Sequence, residues 1–239
     1  MPARFFLPML PEPGDTAVDG ELAHHLATVL RARPGAELRV GDGRGGTADA
    51  HVVAVERRRV HLRIARVHRT PPPTRRVHVA FAPPRLARAE WLFEHGTEVG
   101  VDVFWPLWTA RTRPQGERLD RWQRIVRAAA GQCDRDWLPE VQPARELGAF
   151  LGGPLPPARF VGAPGAPPLG EAADAAGDVV VLVGPEGGFA DGERDAVAAA
   201  GFVPAGLGPH VLRTETAALV AAALLQRALL QRARLPNRA

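Results

Sequence analysis

The sequence predicts an α/β protein in two parts: a small N-terminal β-barrel, then a mostly parallel sheet flanked by helices. Three observations carry this. Apolar residues alternate with period two through residues 1–70, whereas strand-like runs alternate with helical ones after residue 76. A stiff polyproline stretch, Thr70-Pro71-Pro72-Pro73-Thr74, separates the two patterns. Charge divides near the same place: residues 1–78 hold 13 arginines against 8 acids, residues 79–239 hold 17 against 18. The expected organisation is a barrel domain over 1–70, a linker over 71–76 and a sheet domain over 77–239.

In the first part, strands are expected at Glu37–Val40, Ala48–Val55 and Val60–Val67. They are separated by the glycine cluster GDGRGG (41–46) and the arginine run 57–59. One helix is expected over Gly20–Arg31, with Leu22, Leu26, Val29 and Leu30 on one face. A barrel suits this length better than a sandwich. In the second part, Val77–Ala82 reads as a strand, Leu86–Val99 as a helix, Val101–Leu107 as a strand and Glu117–Ala130 as a helix. Strands at 158–162, 179–183 and 203–207 follow with helices between, one of them Asp191–Ala200, and an Ala/Leu-rich helix over Leu212–Arg232 comes last. Such alternation builds a parallel sheet, and ligands bind beyond the C-terminal ends of its strands.

Composition narrows the chemistry. The 239 residues include one cysteine, Cys133, and no lysine, serine or tyrosine. This excludes internal disulfides, thiolate zinc clusters, serine hydrolases, Schiff-base chemistry and lysine-dependent phosphate loops. No long apolar span or leader is apparent, so a cytoplasmic protein with no membrane segment is expected. No histidine spacing suits a metal. Over residues 31–76, 12 arginines face 4 acids. A basic face of that density suits RNA or DNA, and the bland alternative is arginine standing for lysine on a solvated surface.

Two glycine loops hold the most information. LVGPEGGFADGE (182–193) follows an apolar strand and precedes a helix. GLGPHVLRTETAALVAAALL (206–225) also turns from a strand into a helix, which Thr214 can cap and whose positive first turn suits Glu215. Both loops lie where backbone N–H groups meet a ligand, and both carry a carboxylate. Neither matches a dinucleotide fingerprint, and without lysine neither is a phosphate loop. A ligand with an aromatic base and a positive centre fits, and S-adenosylmethionine has both. The alternative is that these are ordinary turns with glycines at positive φ.

VGPEGGF (183–189) with LGPHVLRTETAAL (207–219) resembles the C-terminal signature of the SPOUT RNA methyltransferases, most closely the RsmE group. The resemblance extends to ARFFL (3–7), to HHLATVLRARPGAEL (24–38) followed by Gly41-Asp42-Gly43, to RLARAE (85–90) with TEVG (97–100), to PLWTARTR (106–113) and to RWQRIVRAAAGQCDR (121–135). It covers nearly the whole chain. The sequence departs from the group in having arginine where lysines are usual around 85–96, Ala110-Arg111 where Glu-Arg is frequent, and Gly131-Gln132 where Glu-Gln is common.

The resemblance implies an N-terminal PUA-like RNA-binding module, a SPOUT domain with a trefoil knot, and a homodimer. It implies S-adenosylmethionine as cofactor and methylation of uracil N3 in small-subunit (16S) ribosomal RNA. The cofactor would lie against three loops, with Val161 and Gly162 in the first. The second offers Val183, Gly184, Pro185, Glu186, Gly187 and Gly188. The third offers Leu207, Gly208, Val211, Leu212, Thr214, Thr216 and Ala217.

Arg213 and Glu215 are the candidate catalytic residues. Arg213 suits negative charge developing on O2 or O4, or the target's phosphate, and equally an ion pair with Glu215 or Glu186. Glu215 or Glu186 suits the sulfonium or the leaving proton, with helix capping the alternative for Glu215. His25, Arg31, Arg33, Arg57, Arg58 and Arg111 are candidate RNA contacts. Rival functions are a non-catalytic RNA-binding protein, a nucleotide-using dehydrogenase-like enzyme, and a ribose 2′-O-methyltransferase.

Overall fold

The computed structural model describes residues 4–29, 31–112, 118–169 and 177–233. It divides into two compact units, one of residues 1–72 with 130–138, the other of 73–129 with 139–239. Segment 130–138, which sequence patterning assigned to the second domain, thus clusters with the first. Its acids explain why. Asp134 and Asp136 pair with the buried Arg4 at 2.7 and 2.9 Å, and Asp134 also takes Arg39 at 2.8 Å.

The first unit is one five-stranded sheet. Its strands are β1 (Arg4–Phe6), β2 (Gly14–Asp19), β3 (Glu37–Gly41), β4 (Gly46–Val55) and β5 (Arg59–Arg69), in the order β1-β3-β4-β5-β2. All pairs are antiparallel except β1 with β3. Leu38, Val40, Ala48, Ala50, Val52, Val60, Leu62 and Ile64 point to one side and form the core with Leu26. This is the period-two pattern of a sheet with one buried face. Helix α1 (Gly20–His24) continues as a π-helical turn, His25–Val29. In place of the single α-helix expected over 20–31, the backbone widens at His25 and reaches Arg31 at φ 50°. Residue 30 of that expected helix lies outside the described residues.

The second unit is a wholly parallel sheet. Its strands are β6 (Val77–Phe81), β7 (Val103–Trp108), β8 (Glu140–Val141), β9 (Arg145–Glu146), β10 (Ala158–Gly162), β11 (Val179–Val183) and β12 (Val203–Ala205). The order is β12-β10-β11-β6-β7-β8, with β9 also on β7. Both faces are covered, which explains why β11 reads Val-Val-Val-Leu-Val without alternation. Val179, Val181 and Val183 join a core with α2 (Leu86–Val99), α3 (Leu119–Gln132) and a long C-terminal helix, Thr214–Ala233. Val180 and Leu182 join a second core with α4 (Leu147–Leu151) and α5 (Asp191–Ala199). The C-terminal helix is α6; it packs on α2, β6 and β11. It starts at Thr214 rather than residue 212. Of the segment between β10 and β11, where a helix was expected, residues 170–176 lie outside the described residues, as does residue 117 of the expected third helix.

Candidate functional site

The order β12-β10-β11 sets three parallel strands side by side, so their C-terminal ends emerge at one edge of the sheet. Those ends are the three loops singled out from sequence. They converge in fact. A Cβ on Gly162 would stand 3.2 Å from Leu207 Cδ1, so the first and third loops touch. The Thr214 hydroxyl donates to the Gly184 carbonyl at 2.9 Å, which ties the third loop to the second. Thr214 is therefore a cross-brace, not the helix cap expected of it. The first helical bond of α6 is accepted by the Arg213 carbonyl from Ala217 N–H.

Local chemistry shapes the second loop. Pro185 to Gly188 is a tight turn closed by Gly188 N–H on the Pro185 carbonyl at 2.8 Å, with Gly188 at φ 71° where only glycine is unstrained. Gly184 is needed for a different reason: a Cβ there would lie 2.9 Å from the ring of Phe189. The loop is also held from the β7 side. Glu193, in the first turn of α5, accepts Ala190 N–H at 2.8 Å and Ala110 N–H at 2.7 Å. Arg111 donates to the Gly187 carbonyl.

Beside this loop lies a cleft of about 700 Å³ lined by four arginines, Arg85, Arg88, Arg111 and Arg213, with Glu186, Gly187, Pro185 and Thr214. Arg213 is exposed and takes no ion pair with Glu186 or Glu215 among the described residues. Arg88 takes that place. Its Nη1 meets Glu186 Oε1 at 2.7 Å and its Nε lies 3.5 Å from Glu215 Oε1. Glu215 is 6% exposed, and its Oε2 has no hydrogen-bond partner among the described residues. An arginine in the first turn of α2 opposes the helix dipole, so these two carboxylates account for its position.

The remaining candidates divide. Val183 and Ala217 are buried in the sheet core, so only their backbones are available to a ligand; Leu207 and Leu212 pack against that core from its edge. Val161, Gly162, Gly188 and Thr216 are half-buried, while Gly208 and Val211 are exposed, Val211 at 84%. None of these six lines the arginine cleft. Arg111 does line it, whereas His25, Arg31, Arg33, Arg57 and Arg58 are exposed on the N-terminal unit. His25 stands edge-on to Phe5, ring centroids 5.6 Å apart. Arg57 and Arg58 cap the β4–β5 turn without ion pairs among the described residues. Arg59 and Arg63 are spent on Asp19 and Asp15 across the strands, and those guanidinium hydrogen bonds hold both aspartates below their ordinary range. Among the described residues, no group of three or more His, Cys, Asp or Glu is placed to hold a metal ion, and no helix is long and apolar enough to cross a membrane.

The geometry is that of an α/β enzyme domain that seats a ligand at the C-terminal ends of parallel strands. Known proteins narrow it further. A family model for an RNA methyltransferase domain matches residues 70–226, and one for an RNA methyltransferase PUA domain matches residues 18–65. The chain belongs to the RNA methyltransferase family. Ribosomal RNA small subunit methyltransferase E of Mycobacterium bovis is 38% identical, over 91% of this chain and 88% of its own. The Bacillus subtilis protein of the same name is 26% identical, over 86% and 87%. The crystal structure of ribosomal RNA small subunit methyltransferase E from Neisseria gonorrhoeae, bound to S-adenosyl methionine, superposes with TM-score 0.88 at 29% identity, covering 95% of this chain and 98% of that one. A putative methyltransferase of Legionella pneumophila, also with bound cofactor, gives 0.87 at 29% identity and the same coverage.

Proposed function

We propose that this protein transfers the methyl group of S-adenosylmethionine to N3 of a specific uridine in small-subunit ribosomal RNA. The observation that carries the reading is the buried Glu215 carboxylate at the junction of the glycine loops, with one oxygen unpartnered. A buried acceptor of that kind is costly unless a ligand satisfies it, and a methyl donor bearing a sulfonium and an amino group is a suitable one. The backbone bare of side chains at Gly162, Gly184 and Gly188 suits the edge of an adenine. The loops named above, from Val161 to Ala217, would hold the cofactor mainly by backbone.

Bound S-adenosylmethionine would supply an electrophilic methyl group. The C–S bond breaks, a C–N3 bond forms and the N3 proton leaves. Arg213, exposed in the cleft and without a carboxylate partner among the described residues, is suited to negative charge developing on O2 or O4 of the uracil. Glu215 is suited to the donor's positive charge or to the departing proton. Arg111 lines the same cleft for the RNA, and His25, Arg31, Arg33, Arg57 and Arg58 would engage it from the PUA-like unit. The reading includes a cytoplasmic location, a trefoil knot and a homodimer. The knot rests on the likeness to the RNA methyltransferase family. A shallow groove of Val99, Ala223 and Leu230, the last 61% exposed, supports pairing through the α2–α6 face.

Calorimetry with S-adenosylmethionine tests cofactor binding directly; no heat at high cofactor concentration removes the reading. Arg213→Ala and Glu215→Gln should each cut methyl transfer at least tenfold, about 1.4 kcal/mol of transition-state stabilisation, while circular dichroism and Tm stay native. Unchanged turnover in both removes the assignment of these two residues.

A further inference from the structure

We infer that Arg88 is a positioning residue, a shared counter-ion whose charge tunes how strongly the site prefers the cationic methyl donor over its neutral product. The inference rests on the proposed cofactor and deepens that reading. Glu186 comes from the β11 loop and Glu215 from the start of α6, and one guanidinium on α2 spans both at 2.7 and 3.5 Å. The two acids differ in setting: the Glu186 side chain is 63% exposed, that of Glu215 8%. Solvent screens Glu186, so that acid draws off only part of the Arg88 charge, and the buried Glu215 feels the remainder. Glu215 Oε1 faces Arg88, and Oε2 is left as an acceptor with no donor among the described residues. Arg88 therefore divides the carboxylate. One oxygen stands at ion-pair distance from the guanidinium, and the other is buried without a hydrogen-bond partner among the described residues, so the carboxylate's charge is only partly compensated.

This division has a consequence for charge. S-adenosylmethionine and S-adenosylhomocysteine share adenine, ribose, amino and carboxylate groups and differ by the methyl group and one positive charge. Their affinity ratio isolates what the site does to the sulfonium. With Arg88 in place, part of the Glu215 field is cancelled, which keeps the donor from being held too firmly. Without it, the uncompensated carboxylate favours the cation. The other charged groups lining the cleft are Arg85, Arg111 and Arg213. All are cations, so none can replace the acids, and among the described residues only Arg88 is paired with both.

The experiment measures Kd for both molecules by calorimetry on the full chain. Arg88→Gln should raise the preference for S-adenosylmethionine over S-adenosylhomocysteine by about three- to tenfold, a screened unit charge at a partly exposed site. Glu215→Gln should lower it by a similar factor, and Arg88→Lys should leave it near the wild-type value. Glu186→Gln, an exposed change that threatens no packing, should lower the ratio by releasing Arg88 to Glu215 alone. Equal loss of both affinities in Arg88→Gln, or an unchanged ratio across Arg88→Gln and Glu186→Gln, overturns the inference and leaves Arg88 a structural brace. Failure of the wild-type protein to bind either molecule instead refutes the proposed function.

Discussion

Replacing Thr214 by valine removes one oxygen and nothing else of size, and it tests whether the two glycine loops act as one site. Thr214 is 3% exposed, and its hydroxyl is donated to the Gly184 carbonyl at 2.9 Å. Valine keeps the branched shape but leaves that carbonyl without its side-chain donor. Loss of a buried hydrogen bond with one partner stranded costs about 1–3 kcal/mol. In a domain of this size that lowers Tm by about 2–4 °C per kcal/mol, so a fall of several degrees is expected. The same free energy holds the third loop against the second, and a ligand spanning both must restore their alignment. Cofactor affinity should therefore drop about 5- to 160-fold, the binding equivalent of 1–3 kcal/mol. Differential scanning calorimetry and isothermal titration calorimetry on the same preparation give both quantities. A Thr214→Val protein with native Tm and native Kd would refute the idea that this bond aligns the site.

Two further outcomes follow from other parts of the molecule. His78 on β6 is 8% exposed; Trp105 Nε1 donates to its Nδ1 at 3.2 Å, and its Nε2 faces Asp178 at 3.4 Å. Burial pushes its pKa below the ordinary 6.5, outweighing the attraction of Asp178, and protonating Nδ1 would break the tryptophan bond. The folded state thus binds this proton less readily than the unfolded chain, so stability present above pH 6.5 declines as pH falls below it; Tm measured from pH 8 to 5 should show that decline, and His78→Gln should flatten it. Separately, Arg57→Ala with Arg58→Ala should weaken RNA binding and reduce the slope of log K against log[salt] by about 0.7–0.9 for each phosphate no longer neutralised. An unchanged slope in a salt titration would assign these arginines to solvent alone.

The sheet domain was legible because its strands and helices obey local rules. The continuous apolar run of β11 announced a strand buried on both faces, and glycines at its end marked the turn into α5. What the sequence hid depends on distance along the chain. β2 is Gly-Asp-Thr-Ala-Val-Asp, poor in strand formers, and is held by its antiparallel ladder to β5 and by burial of Val18, with Asp15 and Asp19 paired to Arg63 and Arg59, 48 and 40 residues away. The two acids of 134–136 draw their segment onto Arg4, which no composition shift revealed. The site shows the same limit. Both glycine loops and their acids were readable, but the partner of those acids was not: Arg88 sits 98 residues before Glu186, and RLARAE (85–90), although part of the family resemblance, does not show which of its arginines meets a carboxylate. Thr214 looked like a cap because helix starts favour threonine. Its hydroxyl instead donates to the Gly184 carbonyl, 30 residues back, and the first carbonyl of the helix ladder is that of Arg213, so Thr214 stands inside the helix rather than at its cap.

The most direct test of the proposed methyl transfer is the identity of the product. The purified protein, S-adenosylmethionine carrying a labelled methyl group, and small ribosomal subunits or their RNA would be incubated together, and the RNA digested to nucleosides for mass spectrometry. Label is expected in N3-methyluridine at a single position, with a matching stop to reverse transcriptase, because a methyl group on N3 blocks base pairing. Label in a 2′-O-methyl nucleoside, or binding of RNA and cofactor with no labelled nucleoside at all, would contradict it.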